Sequence, residues 1–461
     1  MTMLIAEDVT VRAGTQALVN PVSLTLEAGK ALTVLGESGS GKSLLAQAIL
    51  GILPEGLEAA GRLSVNDRPF DPARPQANRA LWGRHIAVLP QEPWLALDPL
   101  MPARKQVAEV YELLQSDPQP GDRAGADLAD LGLAGAERKF PWELSGGMAQ
   151  RLAFAAARAG GGAITVADEP TKGLDAGRRD DVLALLRRGI ADGGGLLTIT
   201  HDLQLAAGLG GEILVMQGGD VVERGPAERI LSQPEHPYTQ ALVASDPTKW
   251  PRRLAPTESS PLIRAQQLQV SRNGRRLFAP VSFDLSAGQI LGVFGPSGCG
   301  KSSLGNALLG LLPHTGSLWR DPAAPKLAYQ KLWQDPPAAF PARITLGQGL
   351  DDLIRLHKID RARIPPLLDR LKLSPDLLGR FPNSVSGGEL QRIALLRALL
   401  LDPVFLFADE PTSRLDPVTQ AQTIRLMVDI ATERGLAIMV VSHDEALLSA
   451  ISDAVIRLQV T

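Results

Sequence analysis

Two stretches of the chain combine glycines, a lysine and a serine in an order suited to binding phosphate. Residues 36–43 read Gly-Glu-Ser-Gly-Ser-Gly-Lys-Ser, and residues 295–302 read Gly-Pro-Ser-Gly-Cys-Gly-Lys-Ser. In such a loop the backbone N–H groups surround the phosphates, the lysine neutralises their charge and the last serine reaches Mg²⁺. The sequence therefore predicts two nucleotide-binding loops, which contain Gly36, Ser38, Gly39, Gly41, Lys42, Ser43, Gly295, Ser297, Gly298, Gly300, Lys301 and Ser302.

Two adjacent carboxylates follow an apolar stretch in each half of the chain. They are Asp168 and Glu169 in the first half and Asp409 and Glu410 in the second. Successive side chains on a strand point to opposite faces, so the two acids can take different tasks. The first can hold the Mg²⁺ shell, and the second can orient or deprotonate the water that attacks the γ-phosphate. An isolated Asp-Glu pair would be an ordinary strand end, so this interpretation depends on the upstream phosphate loop.

The elements that must position these residues can be identified from apolar runs. Residues 31–35 and 290–294 predict buried strands before the loops, and residues 44–50 and 304–309 predict helices after them. Strand, glycine-rich loop and helix form the context that a P-loop requires. Ser-Gly-Gly at 145–147 and at 386–388 opens a helical stretch in each half. A serine N-cap followed by bare backbone N–H groups makes a second anion-binding element.

Composition limits the possible functions. The repeat divides the 461 residues into two halves, each long enough for a substantial core. With 47 basic and 50 acidic residues the net charge is −3, which favours neither nucleic acid nor an anionic membrane surface. The single cysteine, Cys299, excludes an intramolecular disulfide and a cysteine-based zinc or iron–sulfur site within one chain. Charges interrupt every apolar run and no targeting segment is recognisable, so we expect a soluble protein, or one that reaches a membrane through partners.

The order of the motifs resembles that of the ATP-binding cassette (ABC) ATPases, twice and over essentially the whole chain. Each half has a P-loop, Ser-Gly-Gly-x-x-Gln-Arg, an apolar run ending in Asp-Glu-Pro-Thr, a Leu-Asp pair and a late histidine. The resemblance implies an α/β fold with two tandem P-loop (RecA-like) nucleotide-binding domains. Each would carry an N-terminal antiparallel β subdomain and an inserted helical subdomain. The expected bounds are 1–242 with helices at about 92–143, a proline-rich linker at 243–262, and 263–461 with helices at about 335–384.

The resemblance also assigns roles to residues in both halves. Mg²⁺ contacts would come from Ser43, Gln91, Asp168, Ser302, Gln334 and Asp409, and catalysis from Glu169, His201, Glu410 and His443. Asp175 and Asp416 match the aspartates that communicate between the two domains. In this family the domains pair head to tail, so each P-loop would be completed by the Ser-Gly-Gly of the opposite domain. The first P-loop would be completed by Ser386, Gly387 and Gly388, and the second by Ser145, Gly146 and Gly147. Since neither set lacks a catalytic member, we expect two competent composite sites.

Two further segments resemble the ATPases of oligopeptide, dipeptide and nickel importers. They are residues 94–99, Trp-Leu-Ala-Leu-Asp-Pro, and the His-Pro-Tyr-Thr tail that begins at His236, which the second half lacks. The cysteine-rich segment that often follows this tail is missing, so no iron–sulfur cluster is expected. The usual adenine-stacking aromatic is also missing. Arg12 and Arg272 could stack on adenine instead, although ordinary exposed loop arginines are an equally good interpretation.

The expected function is hydrolysis of ATP to ADP and phosphate, with ATP and Mg²⁺ as cofactors and no zinc. Hydrolysis would drive uptake of small peptides, nickel or a metal chelate. By resemblance, the partners are two transmembrane permease subunits and, indirectly, an extracytoplasmic solute-binding protein, with the ATPase peripheral on the cytoplasmic face of the inner membrane. The alternatives are an export ATPase, which the His-Pro-Tyr-Thr tail disfavours, and a soluble twin-domain ATPase acting on ribosomes or DNA. Such soluble relatives usually have a long charged linker or inserted zinc modules, and neither is present; no nucleic acid is expected.

Overall fold

The computed structural model of the protein describes residues 2–37, 39–73, 81–171, 176–254, 261–272, 274–296, 298–413 and 415–459. The chain forms two compact units, Met1–Val243 and Ala244–Thr461. Each unit contains an antiparallel sheet, a larger and mostly parallel sheet, and helices, as the sequence predicts. No helix within the described residues is both long enough and apolar enough to cross a membrane.

Among its described residues, the first unit has two sheets built from ten strands. They are β1 (Thr2–Ala13), β2 (Gln16–Glu27), β3 (Ala31–Gly36), β4 (Glu58–Val65), β5 (Arg68–Phe70), β6 (Ile86–Leu89), β7 (Ile164–Asp168), β8 (Gly195–Thr200), β9 (Glu212–Gln217) and β10 (Asp220–Pro226). The antiparallel sheet has the order β2-β1-β4-β5, and the larger sheet has the order β10-β9-β3-β8-β7-β6. The strands of the larger sheet pair in parallel except for β10. The carboxyl ends of β3, β7 and β8 therefore lie side by side.

Eight helices within the described residues accompany these sheets. They are α1 (Lys42–Leu50), α2 (Ala103–Val110), α3 (Pro120–Asp130), α4 (Gly146–Ala159), α5 (Ala176–Ala191), α6 (Leu203–Leu209), α7 (Ala227–Ser232) and α8 (Pro237–Ala244). A π-helical turn, Tyr111–Gln115, continues α2. The strand β3 is buried at all six positions, as expected for a central strand covered on both faces. The helices between β6 and β7 have a core of their own, in which Val107, Leu128 and Leu152 are buried together.

The second unit repeats this plan, and the structure describes ten strands in it. They are β11 (Pro261–Gln269), β12 (Ser271–Arg272), β13 (Arg275–Arg276), β14 (Val281–Ser286), β15 (Ile290–Phe294), β16 (Thr315–Arg320), β17 (Tyr329–Leu332), β18 (Phe405–Asp409), β19 (Ala437–Val441) and β20 (Ala454–Arg457). An antiparallel sheet has the order β14-β11-β16, and β12 and β13 form a short hairpin. The parallel sheet has the order β17-β18-β19-β15-β20.

Six helices lie within the described part of the second unit. They are α9 (Lys301–Leu308), α10 (Leu346–His357), α11 (Ile364–Arg370), α12 (Gly387–Leu399), α13 (Pro417–Arg434) and α14 (Glu445–Ile451). Apolar side chains from α10, α11 and α12 join the same core as the parallel sheet, for example Leu350, Leu368 and Ile393 beside Ile438. The inserted helices are thus held to the sheet by continuous hydrophobic packing.

The segment between the two units differs in part from the predicted semi-extended linker at 243–262. Residues 247–249 form a 3₁₀ turn, and Arg253 forms an ion pair with Asp453 in which both side chains are less than a tenth exposed. The Arg253 guanidinium also donates to Gly288 O at 2.7 Å, and its backbone N–H donates to Ala450 O at 2.9 Å. The first part of the predicted linker is therefore packed into the second unit. A count of prolines could not reveal this, since the ion pair joins residues far apart in sequence.

Candidate functional site

A glycine backbone angle and the hydrogen bonds of a buried lysine define the conformation of the first phosphate loop. Gly41 precedes α1 with a φ of +96°, and a Cβ there would lie 2.9 Å from Val19 Cγ2. Only glycine fits such a backbone conformation beside a neighbouring side chain. The buried Lys42 ammonium donates to Gly36 O at 2.9 Å and to Glu37 O at 2.7 Å. A cation is thus fixed inside the loop, in the position from which it can neutralise phosphate charge.

The second phosphate loop has the same construction. Lys301 donates to Gly295 O at 2.7 Å and to Pro296 O at 3.0 Å. Gly300 has a φ of +99°, and a Cβ there would lie 2.9 Å from both Leu277 Cβ and Phe278 Cδ1. Two of the predicted loop residues, Ser38 and Ser297, lie outside the described residues.

The single cysteine fills the interior of this second loop. Cys299 has no exposed surface and belongs to the hydrophobic core of the second unit. Its Sγ lies only 2.8 Å from where a Cβ on Gly295 would stand. The sulfur is therefore packed against the backbone of the loop.

The predicted Mg²⁺ ligands at the end of each P-loop and of the acidic strand meet in space. Ser43 Oγ donates to Asp168 Oδ1 at 3.2 Å in the first unit, and Ser302 Oγ donates to Asp409 Oδ1 at 2.9 Å in the second. A hydroxyl and a carboxylate are hard oxygen donors, which Mg²⁺ prefers. These residues therefore fit the ion that the P-loop chemistry implies, and its remaining contacts would be waters and phosphate oxygens.

In the first unit, the glutamate predicted to be catalytic is paired with the predicted histidine. Glu169 Oε2 lies 2.8 Å from His201 Nδ1, and Thr200 Oγ1 donates to the same oxygen at 3.4 Å. Burial alone would raise the pKa of Glu169, but the bonds and charge of His201, with Lys42, outweigh burial and lower it. Glu169 also has a φ of +49°, an uncommon conformation that directs this side chain toward its partners.

The matching glutamate of the second unit is held differently. Glu410 has a similar φ of +47°, but its Oε2 accepts a hydrogen bond from Gln334 Nε2 at 2.8 Å, and its Oε1 lies 3.3 Å from His443 Nδ1. Burial raises the pKa of Glu410 and Asp409 adds to this, against the opposing charges of His443 and Lys301. Gln91, the counterpart of Gln334, makes no such bond to Glu169 among the described contacts. Equal residue types therefore form unequal arrangements.

A lysine that is not among the predicted site residues lies beside the predicted Mg²⁺ ligands of the second unit. Lys331, on β17, places its Nζ 3.7 Å from Asp409 Oδ2 and 2.9 Å from Asn306 Oδ1. Burial lowers the pKa of Lys331, and the Asp409 carboxylate opposes that effect. A comparison of the two halves could have found this residue, because Lys331 stands three residues before Gln334, where the first half has Val88 three residues before Gln91.

Each Ser-Gly-Gly begins a helix, as predicted. Ser145 caps α4 by accepting a hydrogen bond from Met148 N at 3.4 Å, and Ser386 caps α12 by accepting one from Glu389 N at 3.3 Å. Glu389 completes a capping box because its Oε2 accepts from Ser386 N at 2.8 Å. Both capping serines and the glycines after them, Gly146 and Gly387, are exposed, whereas Gly147 is half-buried and Gly388 is buried.

The two aspartates predicted to communicate between the domains have separate outcomes. Asp175 lies outside the described residues. Asp416 caps α13 by accepting a hydrogen bond from Thr419 N at 3.0 Å. A cap explains the local role of Asp416, and its role between domains stays a prediction. Arg12 and Arg272, the two residues considered for stacking on adenine, are both exposed. Arg12 donates a hydrogen bond to Thr15 O at 2.8 Å.

The His-Pro-Tyr-Thr tail is anchored by a buried carboxylate. Glu223, on β10, accepts hydrogen bonds from Glu235 N at 3.1 Å and from His236 N at 3.0 Å. His236 Nδ1 in turn accepts from Tyr238 N at 3.2 Å at the start of α8. Burial would raise the pKa of Glu223, but the Thr239 hydroxyl and the two backbone N–H groups outweigh burial and lower it. The tail is thus fixed to the larger sheet of the first unit.

Comparison with known proteins identifies what the chain is similar to. The family model described as ABC transporter matches residues 19–172 and 278–413. The ABC transporter ATP-binding protein YejF of Escherichia coli (strain K12) is 34% identical over 483 residues, covering 96% of this chain and 90% of the relative. The glutathione import ATP-binding protein GsiA of the same strain is 32% identical over 505 residues, covering 95% and 81%. The peptidoglycan transport ATP-binding protein YejF of Agrobacterium fabrum (strain C58) is 31% identical over 479 residues, covering 96% and 87%.

Solved structures match over the full length as well. An RNase-L inhibitor has a TM-score of 0.66 at 22% identity, covering 99% of this chain and 88% of that one. The archaeal ribosome recycling factor aABCE1, solved with the ribosomal stalk protein aP1, has a TM-score of 0.69 at 20% identity, covering 98% and 88%. At this identity the likeness concerns the fold. The predicted α/β fold with tandem P-loop ATPase domains is confirmed.

Proposed function

The chain belongs to the ABC transporter family, and we propose that it is the ATP-hydrolysing subunit of an importer for small peptides or peptide-containing solutes. One observation carries the enzymatic part. In each unit the P-loop lysine, the serine–aspartate pair and the glutamate–histidine pair lie at neighbouring carboxyl ends of the parallel strands. Ligands of parallel α/β sheets bind at this edge.

The residues of each unit divide the hydrolysis of ATP to ADP and phosphate among them. Lys42 or Lys301 balances the charge of the phosphates, and the buried glutamate beside its histidine orients the attacking water. Mg²⁺, when bound, neutralises charge that develops on the transferred phosphoryl group. Its proposed ligands are Ser43, Gln91 and Asp168 in the first unit and Ser302, Gln334 and Asp409 in the second.

The solute class is proposed from the relatives and from the tail. GsiA is named for glutathione import, and the Agrobacterium relative is named for peptidoglycan transport. Glutathione is a tripeptide and peptidoglycan carries peptide stems, so short peptides are the chemistry common to both. The His-Pro-Tyr-Thr tail, resembling that of oligopeptide importers, supports the same class. Nickel and metal chelates stay predictions from the sequence alone.

The partners and location follow from the same proposal. An ATP-binding subunit of an importer works with separate membrane subunits, and we propose two permeases that receive solute from an extracytoplasmic binding protein. The chain would then lie against the cytoplasmic face of the inner membrane. By the resemblance, the Ser-Gly-Gly helix start of each unit completes the ATP site of the other. The exposure of Ser145 and Ser386 supports this, because both helix starts are accessible to an anion.

Purification from the native host tests the transporter proposal against its rival. The chain, tagged at its C-terminus, is isolated from detergent-solubilised membranes and from the cytosol, and the stable partners are identified by mass spectrometry. We expect two permease subunits in the membrane fraction, and ATP hydrolysis that rises when a peptide-loaded binding protein is added to the reconstituted complex. Ribosomes or DNA as the only stable partner would instead support the alternative of a soluble twin-domain ATPase acting on ribosomes or DNA.

A further inference from the structure

The two units differ at one position of the strand next to the acidic strand. In the first unit Val88 on β6 pairs with Val166 on β7, two residues before Asp168. In the second unit Lys331 on β17 pairs with Phe407 on β18, two residues before Asp409. The registers are equivalent, so Lys331 stands in the place of Val88. A cation has thus been introduced beside one metal site and not at the matching place of the other.

The Lys331 ammonium is held in a defined position. It donates to Asn306 Oδ1 at 2.9 Å and lies 3.7 Å from Asp409 Oδ2, with its side chain 10% exposed. The rings of Trp333 and Phe407 flank it, with their centroids 4.3 Å and 5.3 Å from Nζ. An ammonium removed from water requires such compensation. Lys331 is therefore a largely buried lysine held by specific contacts, and not a solvated surface residue.

The surrounding core is adjusted to the aromatic wall of this site. Phe407 occupies space that a Cβ on Gly305 would need, since that Cβ would lie 2.1 Å from Phe407 Cζ. At the matching places the first unit has Ala46 and Val166. A glycine on α9 thus makes room for the ring against which the lysine packs. The lysine and its aromatic wall belong to one local arrangement.

The two oxygens of Asp409 have different partners. Oδ1 accepts the Ser302 hydroxyl at 2.9 Å, on the side of the P-loop, whereas Oδ2 faces the Lys331 ammonium. Opposite charges this close in a buried site interact strongly because little water screens them. A carboxylate that is already partly neutralised attracts a divalent cation less than one that is not.

We propose that Lys331 is a positioning residue that partly neutralises Asp409, so that the second unit needs more Mg²⁺ than the first to form its metal–nucleotide complex. The inference rests on the proposed function, because it concerns the metal site of the same ATPase. Two sites with identical predicted metal ligands then load at different Mg²⁺ concentrations. The difference originates from one charge outside the set of ligands.

A Mg²⁺ titration of nucleotide binding tests this in the full-length chain. Lys42→Ala restricts binding to the second P-loop, and the fluorescence of bound mant-AMPPNP is followed as Mg²⁺ is added. In this background Lys331→Met should lower the Mg²⁺ midpoint about tenfold, equivalent to about 1.4 kcal/mol. Lys331→Arg, which keeps the charge, should leave the midpoint within about twofold. The reciprocal variant, Val88→Lys in a Lys301→Ala background, should raise the midpoint of the first site.

The outcomes separate this inference from the proposed function. If the nucleotide binds but Lys331→Met leaves the midpoint unchanged or raises it, the inference is wrong and the ATPase proposal stands. If mant-AMPPNP binds neither to the two single-site variants nor to the unmodified chain at any Mg²⁺ concentration, the proposed function itself fails. Should Lys331→Met not fold, as judged by thermal unfolding, Lys331→Gln provides the same loss of charge with a polar side chain that can still donate to Asn306.

Discussion

Gln334 donates a 2.8 Å hydrogen bond to the carboxylate of Glu410, the glutamate proposed to be catalytic in the second unit. The first unit instead directs Glu169 to His201 at 2.8 Å. The proposed catalytic residues are the same types in both units, yet their resting contacts differ. In the second unit, an acid proposed to orient water is therefore hydrogen-bonded to a residue proposed as a Mg²⁺ ligand.

Replacing the two glutamates separately tests whether both sites hydrolyse ATP. Glu169→Gln and Glu410→Gln should each reduce steady-state turnover, and the double variant should lose about 100-fold or more, because each removes one water-orienting carboxylate. Turnover is measured by phosphate release in the reconstituted complex, with mant-nucleotide binding as the control for intact P-loops. Unchanged turnover in either single variant would mean that the corresponding site does not contribute.

Substitutions at two glycines of the second phosphate loop can distinguish the cost of backbone strain from the cost of steric contact. Gly300 and Gly298 both have positive φ angles, +99° and +80°, but only at Gly300 would a Cβ meet neighbouring atoms. Gly298→Ala should cost about 1 kcal/mol from backbone strain. Gly300→Ala should cost roughly 1–3 kcal/mol more, because Leu277 and Phe278 must shift. Denaturant unfolding of both variants measures this difference, and equal losses would show that the loop relaxes around the added methyl group.

The anchor of the His-Pro-Tyr-Thr tail predicts a pH-dependent stability. The pKa of Glu223 is lowered in the folded protein, so its contribution is present above the ordinary carboxyl range and is lost as pH falls through the lowered pKa. At pH 7, Glu223→Gln should destabilise the first unit by about 1–3 kcal/mol, because two backbone N–H groups lose a charged acceptor. The difference in Tm from the unmodified chain, measured by calorimetry, should shrink at acid pH.

Glu235→Gln is the matched control for this anchor. Glu235 directly precedes the tail, its side chain is 80% exposed, and it pairs with Arg229 at the surface. Such a pair contributes little, so we expect a Tm close to that of the unmodified chain at every pH. Faster amide exchange at 235–240 in Glu223→Gln, but not in Glu235→Gln, would locate the effect in the tail. Equal exchange in both variants would contradict the anchoring role.

The buried ion pair at the start of the second unit offers a further stability test. Arg253→Met should destabilise this unit by about 3–5 kcal/mol, because Asp453 would remain as an uncompensated buried charge. Arg252→Met, at an exposed neighbouring position, should have little effect. Adding Asp453→Leu to Arg253→Met should recover part of the loss, since the unpaired charge is removed. Equal melting of both arginine variants would indicate that the segment is not held by the pair.

The elements around the phosphates could be predicted because local sequence alone determines them. Lys42 and Lys301 sit at fixed distances from glycines whose backbone angles only glycine readily adopts, and the flanking strands are apolar runs. The same holds for Ser145 and Ser386, whose N-cap role needs only a serine before a helical stretch. These features depend on a few consecutive residues.

Other features could not be predicted because they depend on side-chain positions set by tertiary packing. Gln334 and Gln91 occupy matching places, and only the packed structure shows that one reaches its glutamate. Arg253 and Asp453 are 200 residues apart, so no local pattern relates them. Lys331 is intermediate. The first half has Val88 at the matching place, so a comparison of the two halves reveals the lysine, whereas its contact with Asp409 is visible only in three dimensions.

The burial of Cys299 gives the protein an intrinsic reporter. It is the only thiol in the chain and has no exposed surface beneath the backbone of the second phosphate loop. A thiol reagent can therefore react only during moments when that loop opens, and the labelling rate measures how often this happens. Nucleotide bound to the second unit should slow the labelling of Cys299. Nucleotide bound only to the first unit should change the labelling rate only if the two units are coupled. Labelling kinetics thus distinguish the two otherwise similar halves without any engineered probe.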